Sequence, residues 1–173
     1  MSGHNRARPD GAGQAPPGGP GRTLIPPLPP LVAATSADLA DVEALVEAAG
    51  LPLAGLGACV RDGTAVVCRE WDGCLLGVAA TERFSGVALL RSVAVHAPAR
   101  GHGLGRTLVD RALGDARAAG AREAWLLTET AEPFFAGLGW RRAERADAPA
   151  SVASSVEFVS ACPTTAVAMR RSL

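Results

Sequence analysis

A change in the spacing of apolar residues near position 100 constrains the fold of this chain more than any other feature. Before that point, apolar runs have the length and composition of β-strands, and short turns join them. After it, apolar residues recur at every fourth position from Leu104 to Ala116, which predicts a helix of about 16 residues ending at Gly120. The three runs of β character are 65–71, 74–81 and Val87–Val95. We therefore expect an antiparallel meander that leads into a helix.

Local signals place the remaining elements. Thr35 and Ser36 offer N-cap oxygens, and Asp38 stands where a capping box needs it. The helix that they begin is predicted to stop at Gly50, and Asp72-Gly73 is typical of a tight hairpin turn. Farther along, the pattern predicts helical turns within 51–59 and 147–155, strands at Glu123–Thr128 and 140–143, a short helix at 131–138 and a final edge strand at 166–170. This order indicates an α/β or α+β fold with a mixed, mostly antiparallel sheet.

Composition divides the chain and excludes several functions. Residues 1–29 are rich in glycine and proline and are predicted to be a disordered tail, which leaves 30–173 as one folded domain. The 17 basic and 17 acidic side chains balance, which argues against binding to nucleic acid or to an anionic membrane. The four cysteines lack the spacing of a zinc or redox motif, so we expect no metal and free thiols in the cytoplasm. All the basic residues are arginine, which excludes any mechanism that needs a lysine.

The loop between the third strand and the long helix is the most informative segment for function. It contains three glycines and opens directly into a helix, whose first N–H groups have no intrahelical partner. Such a loop predicts a site for phosphate or pyrophosphate, with Arg100 and Arg106 adding charge on either side. A P-loop is excluded because the chain has no lysine, and a dinucleotide fingerprint because Gly101, Gly103 and Gly105 alternate. The glycines would also suit a tight turn that binds nothing.

The series Arg100, Gly103 and Gly105 forms an Arg-x-x-Gly-x-Gly motif that resembles the acetyl-CoA signature of the GNAT superfamily of N-acetyltransferases. The resemblance extends over nearly all of the folded part. It implies a mixed, mostly antiparallel central sheet flanked by helices, with a splayed central strand, and acetyl-CoA as cosubstrate. It also implies a set of cofactor-binding residues, namely Val93, Ala94, Val95, Arg100, Gly101, His102, Gly103, Leu104, Gly105, Arg106, Phe134 and Phe135.

Shorter strings resemble the arsenic-resistance branch of that superfamily and, through it, the acetyltransferase domain of N-acetylglutamate synthases. They include Leu-Pro-Leu-Ala-Gly-Leu at 51–56, Ser-Ser-Val-Glu-Phe at 154–158 and Cys-Pro-Thr-Thr-Ala at 162–166. The resemblance implies that the substrate is a small, acidic amino-acid-like amine, such as a glutamate-like organoarsenical. The partner is then a small molecule, bound by a monomer or a homodimer.

Arg91 gives this substrate a physical basis. It stands two residues before Val93, so alternation along a strand predicts that the two side chains share one face of the sheet. A charged arginine among apolar residues is costly unless it meets an anion, and a guanidinium binds a carboxylate in two places. That anion is either the substrate or an internal acid such as Glu157. We also predict Glu129 and Ser155 as substrate contacts.

The sequence offers several candidates for the general acid and base. Many members of the superfamily carry a tyrosine where Phe135 stands, and this chain has no tyrosine. The thiolate of CoA would then take its proton from Ser92, Thr128, Cys162 or water, or leave unaided. The candidate bases are Glu129, Glu132 and Glu157, of which Glu157 is the preferred prediction. The alternative function is a degenerate fold that binds CoA as a sensor or partner module without turnover.

Overall fold

The computed structural model describes residues 28–173, so the predicted tail lies outside the described residues except for its last two positions. A capping box starts the first helix as predicted, with the Thr35 backbone N–H donating to Asp38 over 2.8 Å. The helices are α1 (Leu39–Ala48), α2 (Leu56–Arg61), α3 (Leu104–Ala118), α4 (Glu132–Ala136) and α5 (Ala150–Ala153). The strands are β1 (Leu31–Ala33), β2 (Ala65–Arg69), β3 (Leu75–Phe84), β4 (Val87–Val95), β5 (Glu123–Thr128), β6 (Arg141–Ala143) and β7 (Val167–Ser172).

Within residues 28–173 the strands form one seven-stranded sheet in the order β1-β2-β3-β4-β5-β7-β6. Among the described strands only the β4–β5 pair is parallel, because α3 carries the chain across the sheet between these two strands. The predicted edge position of the C-terminal strand is wrong, since β7 lies between β5 and β6. Its neighbouring residues Ala168 and Met169 are both buried, against different faces of the sheet. A short apolar run in the sequence does not show that both faces of the strand are covered.

The central strands separate after a short contact. β4 and β5 pair only from Val87 to Leu89 on one strand and from Glu123 to Trp125 on the other. Beyond Leu89 the two strands have no ladder between them, so a wedge opens toward their C-terminal ends. This confirms the predicted splayed central strand, and the wedge positions the candidate site.

A β-bulge in β4 reverses the expected orientation of its side chains. The pairing with β3 passes from Ala80↔Arg91 to Val78↔Ala94, so β4 has one residue more than its partner between these points. Ser92 in the bulge has φ 51°. The prediction that Arg91 and Val93 share a face is therefore wrong: Val93 packs in the cluster with α3, whereas Arg91 approaches Gly55 beside α2.

Helices cover both faces of the sheet. α3 packs on one face through Leu104, Leu108 and Ala112, and α1 and α2 pack on the other through residues such as Val42 and Leu56. A smaller cluster around Trp125, Leu89 and Val152 joins α5 to that same sheet. In the described part of the chain, no helix has the length and apolar character needed to cross a membrane.

Two elements differ from the sequence-based expectation. The sequence pattern gives no residue range for β1, because its three residues follow a proline-rich stretch and are held extended by their pairing with β2. The segment Glu157–Ala161, for which no regular element was predicted, is a π-helical turn. Such turns are rare and occur often at functional sites.

Candidate active site

Two adjoining cavities lie in and beside the wedge between β4 and β5. The first, of about 480 Å³, is called here the wedge cavity and is lined by Leu90–Val93, the end of β5 and the segment around Glu157. The second, of about 560 Å³, is called the loop cavity and is lined by the glycine loop and Phe134. The two cavities share the lining residues Ala49, Leu51, Val93, Thr130 and Ala131. A long ligand can therefore lie on the loop and reach into the wedge.

The glycine loop presents open backbone to the loop cavity. Gly101 and Gly103 have φ values of 83° and 84°, a region that side chains with a Cβ rarely adopt. Among the described residues, none accepts a hydrogen bond from the backbone N–H groups between positions 101 and 106. A Cβ built on either glycine would meet nothing within 4 Å. The loop thus offers free donors and unfilled space at the N-terminus of α3, which suits an anionic pyrophosphate.

Ten of the twelve predicted cofactor residues line this cavity: Val93, Ala94, Val95, Arg100, Gly101, Gly103, Leu104, Gly105, Arg106 and Phe134. The other two differ in position. His102 is exposed in the loop but is not part of the lining, and Phe135 lines the wedge cavity instead. Arg100 donates from Nε to the carbonyl of Val95 over 2.9 Å, so its guanidinium is anchored beside the end of β4.

Arg91 lies at the wall of the wedge cavity with its side chain fully buried. Its Nη1 contacts Glu82 Oε1 at 2.5 Å, and its Nη2 lies 2.9 Å from Glu157 Oε2 and donates to the carbonyl of Ala54. Nε completes the set with a long bond of 3.4 Å to Ser92. Of the two anions left open by the sequence, the internal acid is the one that this structure shows.

Glu157 is the most unusual carboxylate of the site. Its side chain is 6% exposed, and Oε2 makes no hydrogen bond among the described residues despite its proximity to Arg91. Burial raises the pKa of Glu157, and this effect outweighs the lowering by Arg91 and by the hydrogen bond from Cys162. A buried carboxylate of raised pKa that lines a cavity is suited to accept a proton there.

The π-helical turn explains how Glu157 reaches this position. The Cys162 backbone N–H donates to the Glu157 carbonyl over 3.1 Å, which places these two residues one above the other. Arg145 anchors the same segment by donating to the carbonyls of Phe158 and Pro163, and its guanidinium lies 5.4 Å from the Phe158 ring centre. The chain between α5 and β7 is thereby held against the wedge.

The other predicted site residues have different surroundings. Ser92 and Thr128 line the wedge cavity, and the Thr128 hydroxyl accepts the Ala131 N–H at 3.0 Å, which leaves its proton free. Glu129 is exposed at the lining of that cavity. Ser155 is not part of the lining, and its hydroxyl accepts the Phe158 N–H at 3.3 Å. Glu132, the remaining candidate base, forms an ion pair with Arg142 on the surface.

Sequence reasoning missed three partners of Arg91. Glu82, which balances its charge, is the register neighbour of Leu89 on the adjoining strand, and nothing local marks it. Ala54 supplies a carbonyl, and Gly55 has φ 88° with no space for a Cβ beside the guanidinium. The string at 51–56 belongs to the resemblance described above, and its glycine is the signal that indicates a close approach.

Comparison with known proteins places this arrangement in a family. A sequence model described as the Acetyltransferase (GNAT) family matches residues 43–140, more than half of the chain. The chain belongs to the GNAT acetyltransferase family. This membership confirms the fold class predicted from the sequence, and acetyl-CoA is the cosubstrate of the family, as the sequence predicted.

Solved structures of other proteins share the fold. The protein Rv2747 from Mycobacterium tuberculosis, in complex with CoA, is 26% identical with a TM-score of 0.70, and the match covers 84% of this chain and 99% of that one. N-acetylglutamate synthase from Neisseria gonorrhoeae, complexed with coenzyme A and N-acetyl-glutamate, is 22% identical with a TM-score of 0.72 over 83% of this chain. The match covers only 35% of the synthase, about a third of its length. A comparison with curated proteins found no match.

Proposed function

We propose that this GNAT protein transfers the acetyl group of acetyl-CoA to the amine of a small, acidic amino-acid-like substrate. One observation carries the proposal: the loop cavity and the wedge cavity meet at Val93, and the buried carboxylate of Glu157 lines the wedge side. Acetyl-CoA bound by the loop would extend its thioester past Val93, and the acceptor amine would enter from the wedge. The resemblance to the arsenic-resistance branch favours a glutamate-like organoarsenical as the acceptor.

The reaction follows from this placement. The amine nitrogen attacks the thioester carbonyl carbon and forms the C–N bond, while the C–S bond breaks and CoA leaves as the thiolate. Glu157 takes the proton that the amine gives up, and the thiolate takes a proton from Ser92, Thr128 or water. The backbone N–H groups near the bulge in β4 stabilise the oxygen of the tetrahedral intermediate.

Arg91 is the cation that an acidic acceptor would meet, since among residues 28–173 it is the only basic residue in the lining of the wedge cavity. In the free protein Glu157 lies at its Nη2 without a hydrogen bond. A substrate carboxylate that binds Nη2 would take this place and leave Glu157 free to accept a proton. Binding of an acidic substrate would thus release the carboxylate that acts as the base.

The proposal is tested by incubating the purified full chain with acetyl-CoA and a panel of amino acids, including glutamate and glutamate-like organoarsenicals. Mass spectrometry detects the N-acetylated product, which avoids interference from the thiols of the protein. We expect product with acidic acceptors and a loss of about 10²–10⁴-fold in kcat for Glu157→Gln. Glu129→Gln makes the same change at the other candidate base in the cavity lining, which is exposed, and its kcat is compared with that of Glu157→Gln. Absence of acetylated product with every amine would contradict the proposed reaction.

The absence of tyrosine from the chain favours a second candidate, a CoA-binding module without turnover. Phe135, where many GNAT proteins place a tyrosine, is buried and contacts Trp140 edge to face with ring centres 5.9 Å apart. It has no proton to offer the thiolate. Tight calorimetric binding of CoA together with no acetylated product would favour this module over the transferase.

A further inference from the structure

We propose that Cys162 is a positioning residue, whose S–H holds Oε1 of Glu157 and so fixes the orientation of the carboxyl group at the wall of the wedge cavity. This inference rests on the proposed function, in which Glu157 accepts the proton of the amine. It concerns how the carboxylate is held, which neither the family nor the reaction determines.

The contacts between the two residues support this role. Cys162 Sγ donates to Glu157 Oε1 over 3.3 Å, and the Cys162 backbone N–H donates to the Glu157 carbonyl. Both side chains line the wedge cavity. The π-helical turn thus ties Cys162 to Glu157 twice, once through the main chain and once through the side chain, which fixes the rotation of the carboxyl group.

The charged groups around Glu157 show why a neutral donor matters. Arg91 approaches from β4 and Glu82 from β3, while Cys162 follows on the same segment as Glu157, and Glu129 lies at the cavity lining. Of these groups, Cys162 is the only one that donates a hydrogen bond to the Glu157 carboxylate. Without it, Oε1 would lose its donor, and the carboxylate would be free to turn both oxygens toward Arg91 or to take up a proton.

The state of the thiol fits a permanent donor. Burial, assisted by the neighbouring Glu157, raises the pKa of Cys162 to about 12. The thiol therefore keeps its proton at neutral pH, and a protonated thiol is a poor nucleophile. An acetyl-cysteine intermediate is disfavoured for the same reason, which leaves hydrogen bonding as the use of this side chain.

The test compares Cys162→Ala with Cys162→Ser, which keeps a hydroxyl donor at the same position. The pKa of Glu157 is measured by carbon NMR of its carboxyl group in the free protein, without any substrate. Since the thiol lowers this pKa, we expect Cys162→Ala to raise it by about one pH unit, as the loss of a hydrogen bond to a charged group implies. Cys162→Ser should restore the wild-type value. An unchanged pKa in Cys162→Ala would overturn the inference.

Kinetics give a second readout that a purely structural role would not move. In Cys162→Ala the acid limb of the kcat profile should shift to higher pH by the same amount, with the KM for acetyl-CoA unchanged. Cys68→Ala is the control, because Cys68 is a buried thiol that donates to the Pro29 carbonyl far from the wedge. A Cys162→Ala profile that superimposes on the wild-type profile would overturn the positioning role.

The two proposals fail in different ways. If Glu157→Gln keeps full turnover, the base in the proposed function is wrong, whatever Cys162 does to the pKa of Glu157. If Glu157→Gln loses at least about 100-fold while Cys162→Ala changes neither the pKa nor the pH profile, only the positioning role is wrong.

Discussion

The Nη2 atom of Arg91 lies 2.9 Å from Oε2 of Glu157, and this contact joins the central strand of the sheet to the π-helical turn that precedes β7. Glu82 on the neighbouring strand approaches the same guanidinium from Nη1. The pair thus combines two functions in one place: it neutralises a fully buried charge, and it forms a wall of the cavity that would hold the acceptor. Substitutions here should alter both stability and turnover.

Replacing Arg91 by alanine should lower the free energy of unfolding by about 3 kcal/mol at pH 7, because it leaves buried Glu157 without its counter-charge. The loss should shrink at acid pH, where Glu157 takes up a proton. Urea unfolding at several pH values measures both effects. Arg111→Ala is the control, since Arg111 forms an exposed pair with Asp115 and should change stability by less than about 0.5 kcal/mol. Equal stability of Arg91→Ala and the wild type would contradict this account.

Gly55→Ala should be strongly destabilising for two reasons. The residue has φ 88°, and a Cβ would collide with the guanidinium of Arg91. We expect a loss of about 2–4 kcal/mol in the free energy of unfolding. Gly114→Ala provides the opposite control, because Gly114 lies inside α3 with open space around it and alanine there should stabilise by up to about 1 kcal/mol. Thermal unfolding measures the stability of both variants. A Gly55→Ala variant as stable as the wild type would show that Arg91 is not confined as described.

The raised pKa of Glu157 predicts a pH-dependent stability difference. Because the folded state binds the Glu157 proton more tightly than the unfolded state, this carboxyl makes folding less favourable as the pH rises from the unfolded pKa through the folded pKa. Glu157→Gln removes this titration. Its stability relative to the wild type should therefore increase over the pH range above about 4, as followed by urea unfolding. A difference that stays constant over this range would show that the pKa is not raised.

Gly103→Ala should weaken the binding of CoA at least about tenfold, because the new methyl group occupies the space above the loop N–H groups. The positive φ adds backbone strain, so the control must carry the same strain. Gly86→Ala is this control, since Gly86 has φ 75° in the β3–β4 turn and an added Cβ there would also meet nothing within 4 Å. Titration calorimetry with CoA should separate the two variants. Equal CoA affinity in both would mean that the loop does not hold the pyrophosphate.

Local patterns were sufficient for most of the elements. Val87–Val95 and Glu123–Thr128 were predicted with the bounds that the structure shows, because each is an apolar run closed by glycine or polar residues. α3 follows with nearly the predicted length, since its apolar stripe repeats at the helical period. The glycine loop was identified from the same kind of local evidence, and it opens on a cavity as expected.

The features that failed depend on contacts between distant residues. The bulge in β4 depends on how β3 pairs with β4. The residue pattern of β4 alone does not show on which face of the sheet Val93 lies after Ser92. The position of β7 inside the sheet depends on β6 adding to its free edge. The bulge and the position of β7 both result from how strands pair. The alternation of residues along a single strand gives no information about its partner.

By itself, the sequence determined the periodic elements, the open loop at the start of α3 and the residue types available for chemistry, because spacing, capping and composition are properties of short segments. Only the tertiary structure decided which charges meet. It placed Glu82 and Glu157 on either side of Arg91 and tied Cys162 to Glu157 through a π-helical turn. Burial makes an unpaired charge costly, so Arg91 needs these partners only in the folded chain, where distant segments surround it.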